Sequence, residues 1–290
     1  MTRGTRDGFI LIAVLGVMAL VAGLVGAASV LVRSSVEGAL AASDELALDS
    51  TVQSGIELAG YQLFGQKRPV ARVDSQAVRL ETGSFVLTVV DEGGRIDLNR
   101  ADPKLLASAY RAAGLTSPPA DVFAALVLDW RDEDDQRSPG GAEAADYAAL
   151  GLDHRPQNDE FRSVDEIRFL PGLTPGHVEA LRPLLTVHNP DGKVNVLAAE
   201  RIVLLALPGM TPAAADRILA LRAAGPAEAA RDIPALVGAS REFVRLGAGP
   251  SFRVLVRATD RRGGRSRVAE VVLAPSRTDD ALFYVVARDE

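Results

Sequence analysis

Hydrophobic and polar residues divide the chain into blocks of different rhythm. From Phe9 to Val32 every residue is apolar or small, and no charge lies between Asp7 and Arg33. A run of this length can cross a bilayer as one helix, which needs roughly 20 apolar residues. Beyond it, apolar positions recur at threes and fours: Val36, Ala39, Leu40, Leu46, Ala47, Val52, Ile56, Ala59 and Leu63. That is the period of an amphipathic helix. No proline interrupts between Phe9 and Pro69. The two stretches therefore read as one helix to about Phe64, on the order of 80 Å long at 1.5 Å per residue. The other reading is a membrane helix and a separate soluble helix, broken at Ser34-Ser35 and Gly38.

The rhythm then shortens. Val78-Arg-Leu and Phe85 to Val90 read as strands, with Gly83-Ser84 as a turn. A second strand cluster lies near the C-terminus. Phe252 to Ala258 alternates, Arg262-Gly-Gly-Arg265 turns the chain, and Val268 to Leu273 returns as a hairpin partner. Ala281 to Ala287 supplies a last strand. Strands at both ends of the soluble part predict one antiparallel sheet packed on the long helix and interrupted by a large insertion. The segments are 1–8 leader, 9–33 membrane helix, 34–93 first part of the sheet domain, 94–249 insertion and 250–290 final strands. The fold class is α+β, with an all-α insertion.

The insertion is rich in alanine and leucine and holds a weak repeat. Gly94-Arg-Ile-Asp-Leu-Asn-Arg-Ala101 is echoed by Gly192-Lys-Val-Asn-Val-Leu-Ala-Ala199. Three similar turns follow: Gly114-Leu-Thr116, Leu170-Pro-Gly-Leu-Thr174 and Gly209-Met-Thr211. Glycine permits a left-handed turn, threonine caps the next helix, and Pro175 or Pro212 fits its first turn. This is a helix-hairpin-helix signature. Such turns can bind DNA phosphates through backbone amides. The DNA-binding form wants a second glycine, where Thr174 and Thr211 stand. Between Asp91 and Glu200 there are 20 Asp and Glu against 11 Lys and Arg, a balance of −9. That surface repels a phosphate backbone, so the turns read as helix packing and no nucleic-acid partner is expected.

Asp129-Trp-Arg-Asp-Glu-Asp-Asp135 places five carboxylates in seven residues, with Gly140-Gly-Ala-Glu143 close behind. Carboxylates this dense must be solvated or neutralised by a cation. Asp129, Asp132, Asp134, Asp135 and Glu143 offer hard oxygen ligands that suit calcium in a flexible geometry. The spacing is not that of an EF-hand. A solvated acidic loop, and packing or capping roles for Asp129 and Trp130, remain the plainer readings. The chain has no cysteine, so a thiolate site is excluded; with three histidines and no His-x-x-x-His pair, a histidine-rich metal site is not expected. No paired-carboxylate cleft, serine–histidine pattern or phosphate-binding loop is present, which argues against an enzyme.

The N-terminus is unlike a secretory signal, whose cleavage site follows the apolar region. Here Gly8-Phe9 precedes it, behind Arg3 and Arg6. A charged leader, then glycine, then phenylalanine heading an apolar helix resembles the type IV prepilin and pseudopilin signal. An uncleaved signal anchor is the other reading. The resemblance implies cutting after Gly8 by prepilin peptidase and methylation of Phe9. It departs at the fifth mature position, where pilins usually carry glutamate and this chain has Ala13; Asp7 before the glycine is also unusual. Arg3 and Arg6 favour a cytoplasmic N-terminus, leaving the soluble part across the membrane.

Taken in order, five segments resemble the type II secretion minor pseudopilin, general secretion pathway protein K. They are the N-terminus without the glutamate, Asp91-Glu-Gly-Gly-Arg-Ile-Asp-Leu-Asn99, and Leu128 to Asp134 with Gly140 to Glu143. Asn158 to Ile167 with Leu170 to Thr174, and Gly192-Lys-Val-Asn195, complete the set. The resemblance implies a pilin fold with a helical insertion and a ternary tip complex with two other minor pseudopilins above the major pseudopilin. It also implies bound calcium and an inner-membrane anchor with a periplasmic domain. A membrane-tethered DNA receptor of competence type would share the anchor and the helix-hairpin-helix turns.

Overall fold

The computed structural model describes residues 4–261, 263–276, 278 and 280–289. The leader residues Met1 to Arg3 lie outside the described residues. A single helix α1 (Gly4–Gly60) closes with a π-helical turn, Tyr61–Gly65. The break considered at Ser34 to Gly38 does not occur. A short helix α2 (Val70–Val73) leads to strands β1 (Ala77–Arg79) and β2 (Gly83–Asp91). The insertion follows, and the chain returns through β7 (Phe252–Asp260), β8 (Ser266–Pro275) and β9 (Phe283–Asp289). These five strands form one sheet in the order β1-β2-β7-β8-β9, with β1–β2 and β8–β9 antiparallel. A bulge between Val272 and Leu273 shifts the β8–β9 register.

The chain divides into two compact units: residues 1–55, 77–86 and 257–268 form the first, and residues 56–76, 87–256 and 269–290 the second. In the first, the side chains from Val14 to Leu24 are exposed, so no protein surface covers this half of the apolar run. Leu40 and Leu46 share the helical apolar pattern yet are also exposed. Core contact begins at Leu48 and Val52. Thr51 bonds Thr82 at 2.9 Å, tying the helix to the β1–β2 turn, and Arg267 of β8 pairs with both Glu45 and Asp49. In the second unit, Ile56, Ala59 and Leu63 are buried. Phe64 stacks on Phe283 with centroids 5.9 Å apart and meets Phe252 edge-on at 5.7 Å. Gly60 lies against the Phe283 ring with no room for a Cβ.

The insertion holds helices α3 (Pro103–Ala112), α4 (Ala120–Arg131), α5 (Ala144–Ala149), α6 (Pro175–Leu181), α7 (Arg201–Ala206), α8 (Pro212–Ala224) and α9 (Pro226–Leu236). Its largest buried side chains are aromatic: Trp130, Tyr110, Tyr147 and Phe123. The helix-hairpin-helix turns form as the residues require. Gly114, Gly172 and Gly209 have φ of 76°, 79° and 79°. Thr211 Oγ1 accepts the Ala214 amide at 3.2 Å, and Pro175 and Pro212 open α6 and α8.

The expected all-α insertion carries one addition, two short parallel strand pairs. β3 (Ile96–Asp97) pairs with β4 (Leu185–Thr186), and β5 (Val194–Asn195) with β6 (Val244–Arg245). β3 and β5 are equivalent positions of the sequence repeat, and each copy bends its chain alike. Asp97 Oδ1 accepts the amide of Asn99 at 2.7 Å, and Asn195 Oδ1 that of Leu197 at 3.1 Å. The copies also pack reciprocally. Gly94 lies against the backbone of Ala198, and Gly192 against the carbonyl of Arg100. Gly94 and Gly192 are equivalent in the repeat, as are Arg100 and Ala198, so the repeat is related to itself by a local pseudo-two-fold.

Glycine is required at Gly192 twice over, by φ of 68° and by the Arg100 oxygen 2.5 Å from where a Cβ would stand. Gly114 has similar φ but open space. We expect Gly114→Ala to cost about 1 kcal/mol and Gly192→Ala at least about twice that in thermal or urea unfolding. Equal losses would contradict the reciprocal packing.

The neck of the insertion is polar and buried. Asp91 accepts the amides of Gly93 (2.8 Å) and Gly249 (3.0 Å) and the Asn195 side chain (2.7 Å). Glu92 is fully buried, bonded by Arg253 Nε at 2.6 Å and by the Thr186 hydroxyl. Burial alone would raise Glu92, but the Arg253 hydrogen bond and charge outweigh it and hold the carboxyl below its ordinary value. An ion pair this deep is costly to break from one side, because the partner is left charged without water.

Candidate metal centre

The acidic cluster is built on the end of α4. Phe123, Leu126, Val127 and Trp130 bury one side of this helix, with Trp130 stacked on Phe161 at 5.5 Å. Asp129 falls on the buried side of the last turn and is 0% exposed. The helix stops at Asp132, whose backbone is extended. Arg131 turns the other way and donates to the carbonyl of Ala101 at 3.2 Å. The loop then folds back over Asp129. The Ser138 amide lies 3.2 Å from both Asp129 oxygens, and Gly141 closes a turn on the Ser138 carbonyl at 2.9 Å. The Asp129 carboxylate presses against Gly141 where any Cβ would stand. Glu143 ends the loop as the residue capping α5, its amide donating to Asp146 Oδ2 at 3.0 Å.

The electrostatics are one-sided. Both Glu143 carboxylate oxygens and Asp132 Oδ1 are buried without a hydrogen-bond partner. Among the described residues, none of Asp129, Asp132 or Glu143 has a salt bridge. Burial, then the charges of Asp129, Asp132, Asp135 and Asp134, push Glu143 up to about 7. Burial, then the charges of Asp129 and Asp134, raise Asp132. Asp134 and Asp135 stand further out, where Asp134 Oδ1 accepts the Gln136 amide at 2.8 Å. Asn158, in a left-handed conformation, donates to the Asp134 carbonyl and to Asp135 Oδ1, both at 3.1 Å.

Among the described residues no three His, Asp or Glu side chains are gathered closely enough to hold an ion as they stand. Like charges without a counter-ion hold apart. The donor set nonetheless fits a hard cation: orphaned buried carboxylate oxygens on Asp132 and Glu143, a buried Asp129, and a glycine-lined bend. Asp129, Asp132 and Glu143 could supply the inner oxygens, with Asp134 and Asp135 at the rim. The ion would neutralise charge that burial otherwise leaves uncompensated. Sequence spacing marked these five residues. It could not mark which of them are buried, since burial depends on the aromatic packing of Trp130 and on Tyr147, itself 1% exposed. The processing residues Gly8 and Phe9 lie in the helical backbone of α1.

Residues 94–191 match the family model for Type II secretion system (T2SS), protein K. That segment contains the whole acidic loop. One solved chain with a similar fold comes from the crystal structure of the GspK-GspI-GspJ complex of the enterotoxigenic Escherichia coli type 2 secretion system. It aligns over 89% of this chain and 97% of that chain, with a TM-score of 0.57 and 17% identity. No curated protein matches the chain. The segment that leaves the sheet after β2 and carries the acidic loop behind α4 is thus the part of the chain that is similar to type II secretion system protein K.

Proposed function

We propose that this chain is a minor pseudopilin at the tip of the type II secretion pseudopilus, acting in assembly of the filament and export of folded proteins. The observation that carries it is the protein K segment interrupting a sheet that sits on a long, membrane-length helix. An insertion of that bulk would clash in a repeating stack. Ala13 points the same way: it replaces the fifth-position glutamate that would neutralise a neighbour's terminal amine within the membrane. A carboxylate buried there without a partner would be costly. Both features suit a subunit with nothing above it. The role is structural rather than catalytic.

The solved relative is part of a GspK-GspI-GspJ complex. By that likeness the partners here are two other minor pseudopilins, with the major pseudopilin below. Arg3 and Arg6 keep the N-terminus cytoplasmic, α1 anchors the chain in the inner membrane, and the rest is periplasmic. Prepilin peptidase cuts after Gly8, and Phe9 is methylated. Calcium sits on Asp129, Asp132 and Glu143 with Asp134 and Asp135. The competence-type reading loses its footing in the −9 balance of the segment from Asp91 to Glu200.

The chain has no cysteine, so single cysteines report contacts cleanly. Leu40 and Leu46, exposed on α1, are the positions to use. Leu40→Cys or Leu46→Cys should crosslink in cells to other minor pseudopilins and not to a second copy of this chain. Abundant self-crosslinking would contradict a single-copy tip subunit.

A further inference from the structure

The chain is acidic overall, with net charge −6, yet one cleft within the second unit is lined by five arginines. They are Arg95, Arg162, Arg182, Arg253 and Arg288, around a volume of ≈ 770 Å³, against two lining carboxylates, Asp165 and Glu270. The guanidinium groups come from the neck, from the loop before and after α6, and from β7 and β9. Several are held in place: Arg182 lies 2.8 Å from Asp165, Arg253 pairs with Glu92 and Glu270, and Arg95 lies 4.0 Å from Glu92. Arg162 reaches outward, 3.7 Å from an exposed Asp159.

A second cleft of ≈ 580 Å³ adjoins it and shares Val187 and His188 as lining. This end carries apolar surface from Pro190, Pro250, Pro275, Tyr284 and Val286 beside the charged Asp97, Arg100 and Glu160. Strand β9, at the edge of the sheet, runs along both. Tyr284 and Val286 face the apolar end, Ala287 and Arg288 the basic end. At about 3.3 Å per residue, Tyr284 to Arg288 spans roughly 13 Å, the reach of four extended residues. Arginine is the side chain best suited to paired contacts with carboxylates. Charge and shape therefore ask for the same ligand.

We propose that this trench binds an extended segment of another polypeptide, one carrying carboxylates about four residues from an apolar side chain. The chemistry of the trench is independent of the tip assignment, and either can fail alone.

The test uses the full-length chain in detergent micelles and fluorescein-labelled peptides of about ten residues. One peptide has a leucine pair at one end and three glutamates at the other; a second has glutamine for glutamate, and a third serine for leucine. Fluorescence anisotropy should show the Glu/Leu peptide binding at least about tenfold more tightly than either variant, and more weakly as salt rises. Arg162→Glu with Arg288→Glu should lower its affinity by about tenfold or more. Both residues are exposed, and an unchanged melting temperature will show that the fold survives. Arg111→Glu with Arg217→Glu, also exposed but outside the trench, should leave binding unchanged. The proposal is overturned if the glutamine peptide binds as well or the trench reversal has no effect. It is equally overturned if no peptide binds at millimolar concentration, or if anionic phospholipid vesicles or inorganic phosphate displace the peptide completely.

Discussion

Removing calcium with a chelator is expected to lower the melting temperature of the full-length chain by roughly 10 °C. The size follows from mass action on the folded state, about 4 kcal/mol when the ion stands near a thousand times its dissociation constant. The cause is the orphaned set of oxygens: two on Glu143 and one on Asp132, buried without partners. Asp132→Ala with Asp134→Ala should abolish the gain from calcium. Glu143→Gln gives a sharper result, because its effect changes sign. In chelator it removes a carboxyl that burial and four neighbouring carboxylates push up to about 7, so the variant should melt above the parent. In millimolar calcium it lacks an ion ligand and should melt below. The metal centre is refuted if the melting temperature is the same in chelator and calcium, or if Glu143→Gln shifts it equally in both.

The second large effect concerns maturation. In cells with active prepilin peptidase, mass spectrometry of the membrane-extracted chain should find Phe9 at the N-terminus with one added methyl group. Gly8→Leu should leave the leader in place and reduce the mature form by at least about tenfold, because the residue before the cut must be small. Gly8→Ala should be partly tolerated. Recovery of Met1 to Gly8 on the wild-type chain would return the N-terminus to a plain signal anchor.

The long helix was legible because its signals are local. An uncharged run of membrane length and a three-and-four rhythm need no tertiary contact to be seen. The rhythm misled at Ala39, Leu40 and Leu46, which carry the apolar pattern but lie exposed. Periodicity marks an apolar face without saying what covers it. The three glycine-threonine turns were legible for a similar reason, since left-handed φ and helix capping are imposed by the residues themselves. The parallel pairs β3–β4 and β5–β6 were not, because a two-residue strand has no period and its partner lies about fifty to ninety residues away.

The layout of the acidic cluster was half legible. Asp129 and Asp134 look alike in sequence, but the first is fully buried and the second exposed, a difference made by packing around Trp130. The arginine trench was invisible. Its five guanidinium groups come from distant segments, and Arg95, Arg162, Arg182 and Arg288 each stand close in sequence to carboxylates that mask them.

The central claim is that one copy of this chain closes the end of the filament. Leu150, exposed in the insertion, can be changed to cysteine in a chain that has no other. Labelled there and imaged on pseudopili drawn out by excess major pseudopilin, it should mark one end of each filament and nowhere else. Labels spaced regularly along the shaft would contradict the account.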